Sequence, residues 1–257
     1  HRDLHSFPTR RSSDLGSYVR TFLSNVLQTL NSYPGGAAAY IDAVAFHYYP
    51  INDGWASVRE KGLEVRGIMT QHGVGDLPLL CPEMGFWSST KFDSSEAQQA
   101  RLIVQNYVRG MSASITLMSY YKVFDDAIAG SSADTGPAHT SGLIKVDGTT
   151  LKPAYYAYQT LTQELYHARY VRSLGVSKAE GYVFKMLDGH EKTVLWATST
   201  TAQVRFTTSC IRMVDVLGRV YSPLRDGDSN WDADHTVNGQ ILLQVYKNAP
   251  VYVENCQ

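Results

Sequence analysis

The chain has 257 residues, 44% hydrophobic and 18% charged, the composition of a globular protein able to build a core. A formal net charge of −1 offers no basic patch for nucleic acid or an anionic membrane, and no run approaches the roughly 18 to 20 apolar residues of a membrane-spanning helix. Three cysteines, Cys81, Cys210 and Cys256, lack any metal-binding spacing, so no metal or other cofactor is expected and at most one disulfide can form.

Residues 1–15 (HRDLHSFPTRRSSDL) show no hydrophobic period and no capping signal. They resemble the translation of a widely used sequencing adapter and are expected to be foreign to the fold, with the natural frame cut at Gly16. Over residues 18–30, Val19, Phe22, Leu23, Val26, Leu27 and Leu30 recur at three- and four-residue steps, which predicts an amphipathic helix ended by Pro34-Gly35-Gly36. Residues 42–49 (DAVAFHYY) form a short, almost wholly apolar run, as in a parallel strand buried on both faces. A helix is expected over 57–72, a second buried strand over 77–86 (LPLLCPEMGF), and a helix over 93–109 opened by a capping box, either Asp93 with Glu96 or Ser95 with Gln98. A third strand over 115–121 and a third helix over 153–167 complete three strand-then-helix units, the pattern of an α/β parallel sheet.

The character changes near residue 170. Short alternating segments at 182–184, 194–196, 204–206, 213–216, 241–245 and 251–253 are separated by Asp-Gly, Leu-Gly and Asn-Gly turns, a β-sandwich pattern. The expected organisation is therefore residues 1–15 outside the fold, an α/β portion over 16–169, and a small antiparallel β-sandwich over 170–257 docked against it.

Pro82-Glu83-Met84-Gly85-Phe86 stands at the C-terminal end of a buried strand, where a (β/α)8 barrel carries its catalytic side chains. The preceding strand ends in Phe46-His47-Tyr48-Tyr49-Pro50, and the two-residue alternation of a strand puts two hydrogen-bond donors, His47 and Tyr49, on one face. Together these residues resemble the clan of retaining (β/α)8 glycoside hydrolases that includes cellulases, mannanases and β-xylosidases. Gly142-Leu143, Asp147-Gly148 and Lys152-Pro153-Ala154-Tyr155 resemble the clan's entry into its eighth helix, and Pro250-Val251-Tyr252-Val253 resembles the last strand of its appended β-domain.

The resemblance implies a C-terminal portion of a TIM barrel, about strands six to eight, and an O-glycosyl hydrolase acting on an oligo- or polysaccharide. It implies Glu83 as nucleophile, Tyr49 holding that carboxylate, His47 contacting the acid/base or a sugar hydroxyl, and Phe86, Trp87 and Tyr121 as substrate-binding aromatics. Tyr121 stands where the clan usually has Trp. The acid/base would sit in an Asn-Glu pair at the end of strand four, and none occurs between Gly16 and Asp42. Glu60, Glu64 and Glu96 fall on outward-facing helical positions, and Asp125 and Asp126 fit substrate contact better than acid catalysis. The fragment is accordingly expected to be inactive, with its proton donor and a secretion signal encoded upstream. Two rivals are a metal-dependent hydrolase, with His47 and Glu83 as ligands, and a non-catalytic carbohydrate-binding protein.

Overall fold

Three parallel strands in the order β1-β2-β3 organise the first part of the structure, a computed structural model that describes residues 12–50, 55–89, 94–126 and 137–256. Helix α1 (Ser12–Asn31) precedes them and begins ahead of the predicted start, inside the run read as foreign. Strand β1 (Val44–Tyr48) leads through helix α2 (Val58–Gln71) to β2 (Leu79–Met84), and helix α3 (Glu96–Ser112) leads on to β3 (Leu117–Tyr120). The caps are local chemistry. The Ser57 side chain accepts the Glu60 amide at the start of α2, and Ser95 accepts the Gln98 amide at the start of α3. Asp93 lies outside the described residues.

The expectation that β1 is buried on both faces is corrected. Val44, Phe46 and Tyr48 are buried while Ala45 and His47 are exposed, a strict alternation. Lys61 of α2 lies over the Phe46 ring, which puts α2 on the buried face; the other face, with Ala45, His47 and Leu117, is open. Pattern reading failed here because Ala45 and Leu117 are apolar residues that the described chain leaves uncovered.

The described residues divide into two compact units, one running up to Gly85 and including Ala113–Tyr120, the other made of Phe86–Ser112 and everything from Tyr121 onward. The units do not divide at residue 170. In the second unit α3 packs on α4 (Pro153–Glu164), with Tyr107 and Tyr158 edge to face, and both helices are tied to antiparallel sheets that follow.

Those sheets comprise β4 (Arg169–Ser173), β5 (Ala179–Lys185), β6 (Glu191–Ala197), β7 (Thr201–Phe206), β8 (Cys210–Asp215), β9 (Val220–Arg225), β10 (Ile241–Tyr246) and β11 (Val251–Asn255). Six form one sheet in the order β4-β5-β6-β11-β8-β9, and β7 pairs with β10 in a ribbon. Leu195, Val204, Met213, Ile241, Leu243 and Val253 bring both layers into one apolar core. The predicted segments all fall on strands, while β4 and β9 went unpredicted. Both are sheet edges: β4 is almost wholly exposed, and β9 contains Pro223, which no central strand accommodates.

Charge ties helices to sheet. Arg109 of α3 grips the Glu180 carboxylate with two donors at 2.7 and 2.6 Å. Glu164, at the end of α4, accepts from Lys192 of β6 and Arg212 of β8, which also share Glu254 of β11. Burial alone would push the Glu164 pKa up, but the Arg212 and Lys192 hydrogen bonds outweigh it and the net shift is downward. Cys210 and Cys256 form a disulfide, with Cα atoms 5.4 Å apart, and Cys81 is buried outside it.

Candidate active site

Glu83 reaches the open sheet face through an irregularity in β2. Along β1, Ala45 pairs with Leu80 and His47 with Glu83, so two residues on β1 span three on β2. Against β3 the count is the same, Cys81 pairing with Met118 and Met84 with Tyr120. Strand β2 therefore carries one extra residue between Cys81 and Glu83, relative to both neighbours. Pro82 occupies that place, and having no N–H it contributes no donor to a ladder.

The consequence is a change of side. With strict alternation Glu83 would follow Leu79 and Cys81 into the interior; after the bulge it joins His47 on the open face, and Met84 becomes fully buried. A regular register would expose Met84, losing about 1.5–3 kcal/mol of apolar burial, and would enclose a carboxylate at a cost of several kcal/mol more. Both terms favour the bulge.

At this position the Tyr49 hydroxyl donates a hydrogen bond to Glu83 Oε1, and His47 Nδ1 stands 3.6 Å from Glu83 Oε2. The second distance is too long for a hydrogen bond but suits an ion pair when the imidazole is protonated. His47 is exposed and Glu83 and Tyr49 are half-buried, so the carboxylate is both held and reachable. The arrangement can present an oriented carboxylate to a reacting carbon while a neutral donor steadies its charge.

The remaining expected positions lie in the second unit. Phe86 is 1% exposed, with its carbonyl accepting from Gln99 Nε2 at 2.8 Å, and Trp87 is 6% exposed, with its carbonyl accepting from Ser94 Oγ at 2.7 Å. Rings so enclosed have no face free for a sugar, which corrects their expected stacking role. Tyr121 is 37% exposed and carries the Lys122 ammonium 5.1 Å from its ring centre.

Asp125 is engaged within the second unit. Its carboxylate accepts from Lys152 Nζ at 3.1 Å and from the Gly142 amide at 2.7 Å. Gly142 must be glycine, because a Cβ there would stand 2.2 Å from the Asp125 nitrogen. Burial lowers the Lys152 pKa, and Asp125 partly offsets it. The Gly142 and Lys152 motifs were visible in the sequence, but their meeting at Asp125 was not.

Among the described residues no group of three or more His, Cys, Asp or Glu side chains is arranged to hold a metal ion, and no helix is long and apolar enough to cross a membrane. His72 bonds Ser24 and His139 bonds Asp126.

No family model and no curated protein matches the chain. Solved structures do. A family 39 glycoside hydrolase from Bacteroides cellulosilyticus WH2 superposes with a TM-score of 0.59 at 18% identity, over 76% of this chain and 38% of that one. An alpha-L-arabinofuranosidase from Thermotoga maritima gives 0.57 at 11% identity, covering 91% of this chain and 55% of the other. A GH39 beta-xylosidase from Caulobacter crescentus gives 0.53 at 16% identity, covering 94% and 55%. The chain thus shares its fold with a portion of each, spanning between about two-fifths and a little over half of their length.

Proposed function

We propose that this chain, sharing its fold with part of several glycoside hydrolases, belongs to a retaining glycosidase that cleaves β-linked glycosides or plant-type polysaccharides by double displacement. The observation that carries the reading is the Glu83 carboxylate held by the Tyr49 hydroxyl, with His47 beside it, at the ends of adjacent parallel strands.

In the first step a Glu83 oxygen attacks the anomeric carbon, the glycosidic C–O bond breaks, and the departing oxygen takes a proton from a second carboxylic acid. In the second, that group removes a proton from water, the resulting oxygen attacks the anomeric carbon, and Glu83 leaves as carboxylate. Tyr49 keeps Glu83 aimed before attack. In this reading His47 meets the second carboxyl group or a sugar hydroxyl.

Retention needs the two carboxyl groups about 5 to 5.5 Å apart. Glu60 and Glu64 do not fill the second role, since they lie on α2 and are engaged by the Ala56 amide and by Trp55 and Arg20. We assign the proton donor to the part of the barrel that the solved enzymes have outside this match. The Cys210–Cys256 disulfide supports a secreted protein in an oxidising compartment.

The test is Glu83→Ala in the full-length enzyme. Turnover of aryl β-glycosides is expected to collapse and to return with azide as the α-glycosyl azide. A β-glycosyl azide would make Glu83 the acid/base instead, and undiminished turnover would remove it from the chemistry.

A further inference from the structure

Lys61 is an unusual residue to find where it is. It sits in the first turn of α2 at 3% exposure, where the positive end of the helix dipole disfavours a cation and burial disfavours any charge. A Leu or Met would fill the volume without either penalty. What an ammonium adds is a donor: Lys61 Nζ hydrogen-bonds the main-chain oxygen of His47 at 2.7 Å.

The surroundings fix that ammonium in place. Nζ lies 4.6 Å from the ring centre of Trp55 and 5.6 Å from that of Phe46, so two aromatic faces bound its position. Trp55 is itself immobilised, buried, with Nε1 donating to Glu64 at 2.7 Å and the Arg20 guanidinium 5.0 Å from its ring centre. The donor is held by α2 and points at the end of β1.

The oxygen it binds belongs to the peptide between His47 and Tyr48. His47 on one side of that peptide approaches Glu83 Oε2, Tyr48 is buried, and Tyr49 follows with its hydroxyl on Glu83 Oε1. Rotation of this peptide would move both donors relative to Glu83. We propose that Lys61 is a positioning residue for the nucleophile: its buried ammonium locks the His47 carbonyl and thereby sets the placement of the Tyr49 hydroxyl on Glu83. This rests on the assignment of Glu83 as nucleophile.

Lys61 touches no substrate in this account, so its loss should act through Tyr49. In the full-length enzyme Lys61→Met is expected to lower kcat about 10- to 100-fold, the scale of a misplaced catalytic group, with KM changing by less than about threefold. Lys61→Arg, which can donate to the same oxygen, should recover part of that loss. The decisive readout is the double variant: Lys61→Met in a Tyr49→Phe background should cost less than about threefold further, because the group it places is already gone.

Full additivity of the two losses, or a folded Lys61→Met enzyme with unchanged kcat, overturns the proposal. If Lys61→Met does not fold, the comparison passes to Lys61→Arg and Lys61→Gln in both backgrounds, under the same criterion. Glu83→Ala, run alongside, separates the two layers. If that variant keeps turnover, the nucleophile assignment itself fails; if it is inactive and the Lys61 losses are additive, only the positioning role fails.

Discussion

Tyr49 and Glu83 meet because two parallel strands end side by side and one of them carries an extra residue. The sequence placed both groups at strand ends, and the alternation of β1 placed His47 and Tyr49 together. It did not foresee that alternation alone would bury Glu83, since Pro82 in the ladder was the signal and its effect depends on the register with two neighbours. Lys61 was equally hidden, because a helical lysine reads as solvated until the fold shows what covers it. Two outcomes are expected at this scale. Tyr49→Phe in the full-length enzyme should lower kcat by roughly 10- to 1,000-fold, having removed one oriented donor but not the nucleophile, and steady-state kinetics check it. Gly142→Ala should destabilise the second unit by about 1–3 kcal/mol, the usual cost of overpacking, because its Cβ would collide with the 124–125 backbone; urea denaturation with an unchanged midpoint would deny that close approach.

At the scale of elements, the strands that sequence reading missed, β4 and β9, are the two edges of the large sheet. The last described strand, β11, runs between β6 and β8 at the centre of that sheet, and the disulfide anchors its end to the start of β8. Cross-linking residues 46 apart should stabilise the unit by about 4 kcal/mol in the chain-entropy account, so reduction should lower its melting temperature by several degrees, as calorimetry with and without reductant can measure. The Glu164 cluster adds a pH dependence. Its folded pKa lies below the ordinary 4.5, so its contribution is complete above that value and is lost as pH falls through the folded pKa. Melting temperature should therefore drop on acidification below about pH 5, and Glu164→Gln should flatten that part of the profile; an identical slope in the variant would deny the linkage.

The whole chain joins a helix-backed parallel sheet with one open face to a unit whose helices are pinned to antiparallel sheets by charge. Three solved glycosidases share this fold over part of their length, and no proton donor for Glu83 is assigned among the residues described. Expressed alone, residues 16–257 are expected to bind a hydrophobic dye through surface such as Leu117, which is 46% exposed, and to show no Glu83-dependent hydrolysis of aryl β-glycosides. A silent dye assay together with robust hydrolysis would place the second carboxyl group inside this chain. The central claim, that Glu83 forms the glycosyl–enzyme bond, is tested most directly by trapping that bond. The full-length enzyme would be inactivated with a 2-deoxy-2-fluoro glycoside, digested and mapped by mass spectrometry: the account predicts one stoichiometric label on the peptide containing Pro82-Glu83-Met84, lost in Glu83→Gln, whereas a label on any other carboxylate would contradict it.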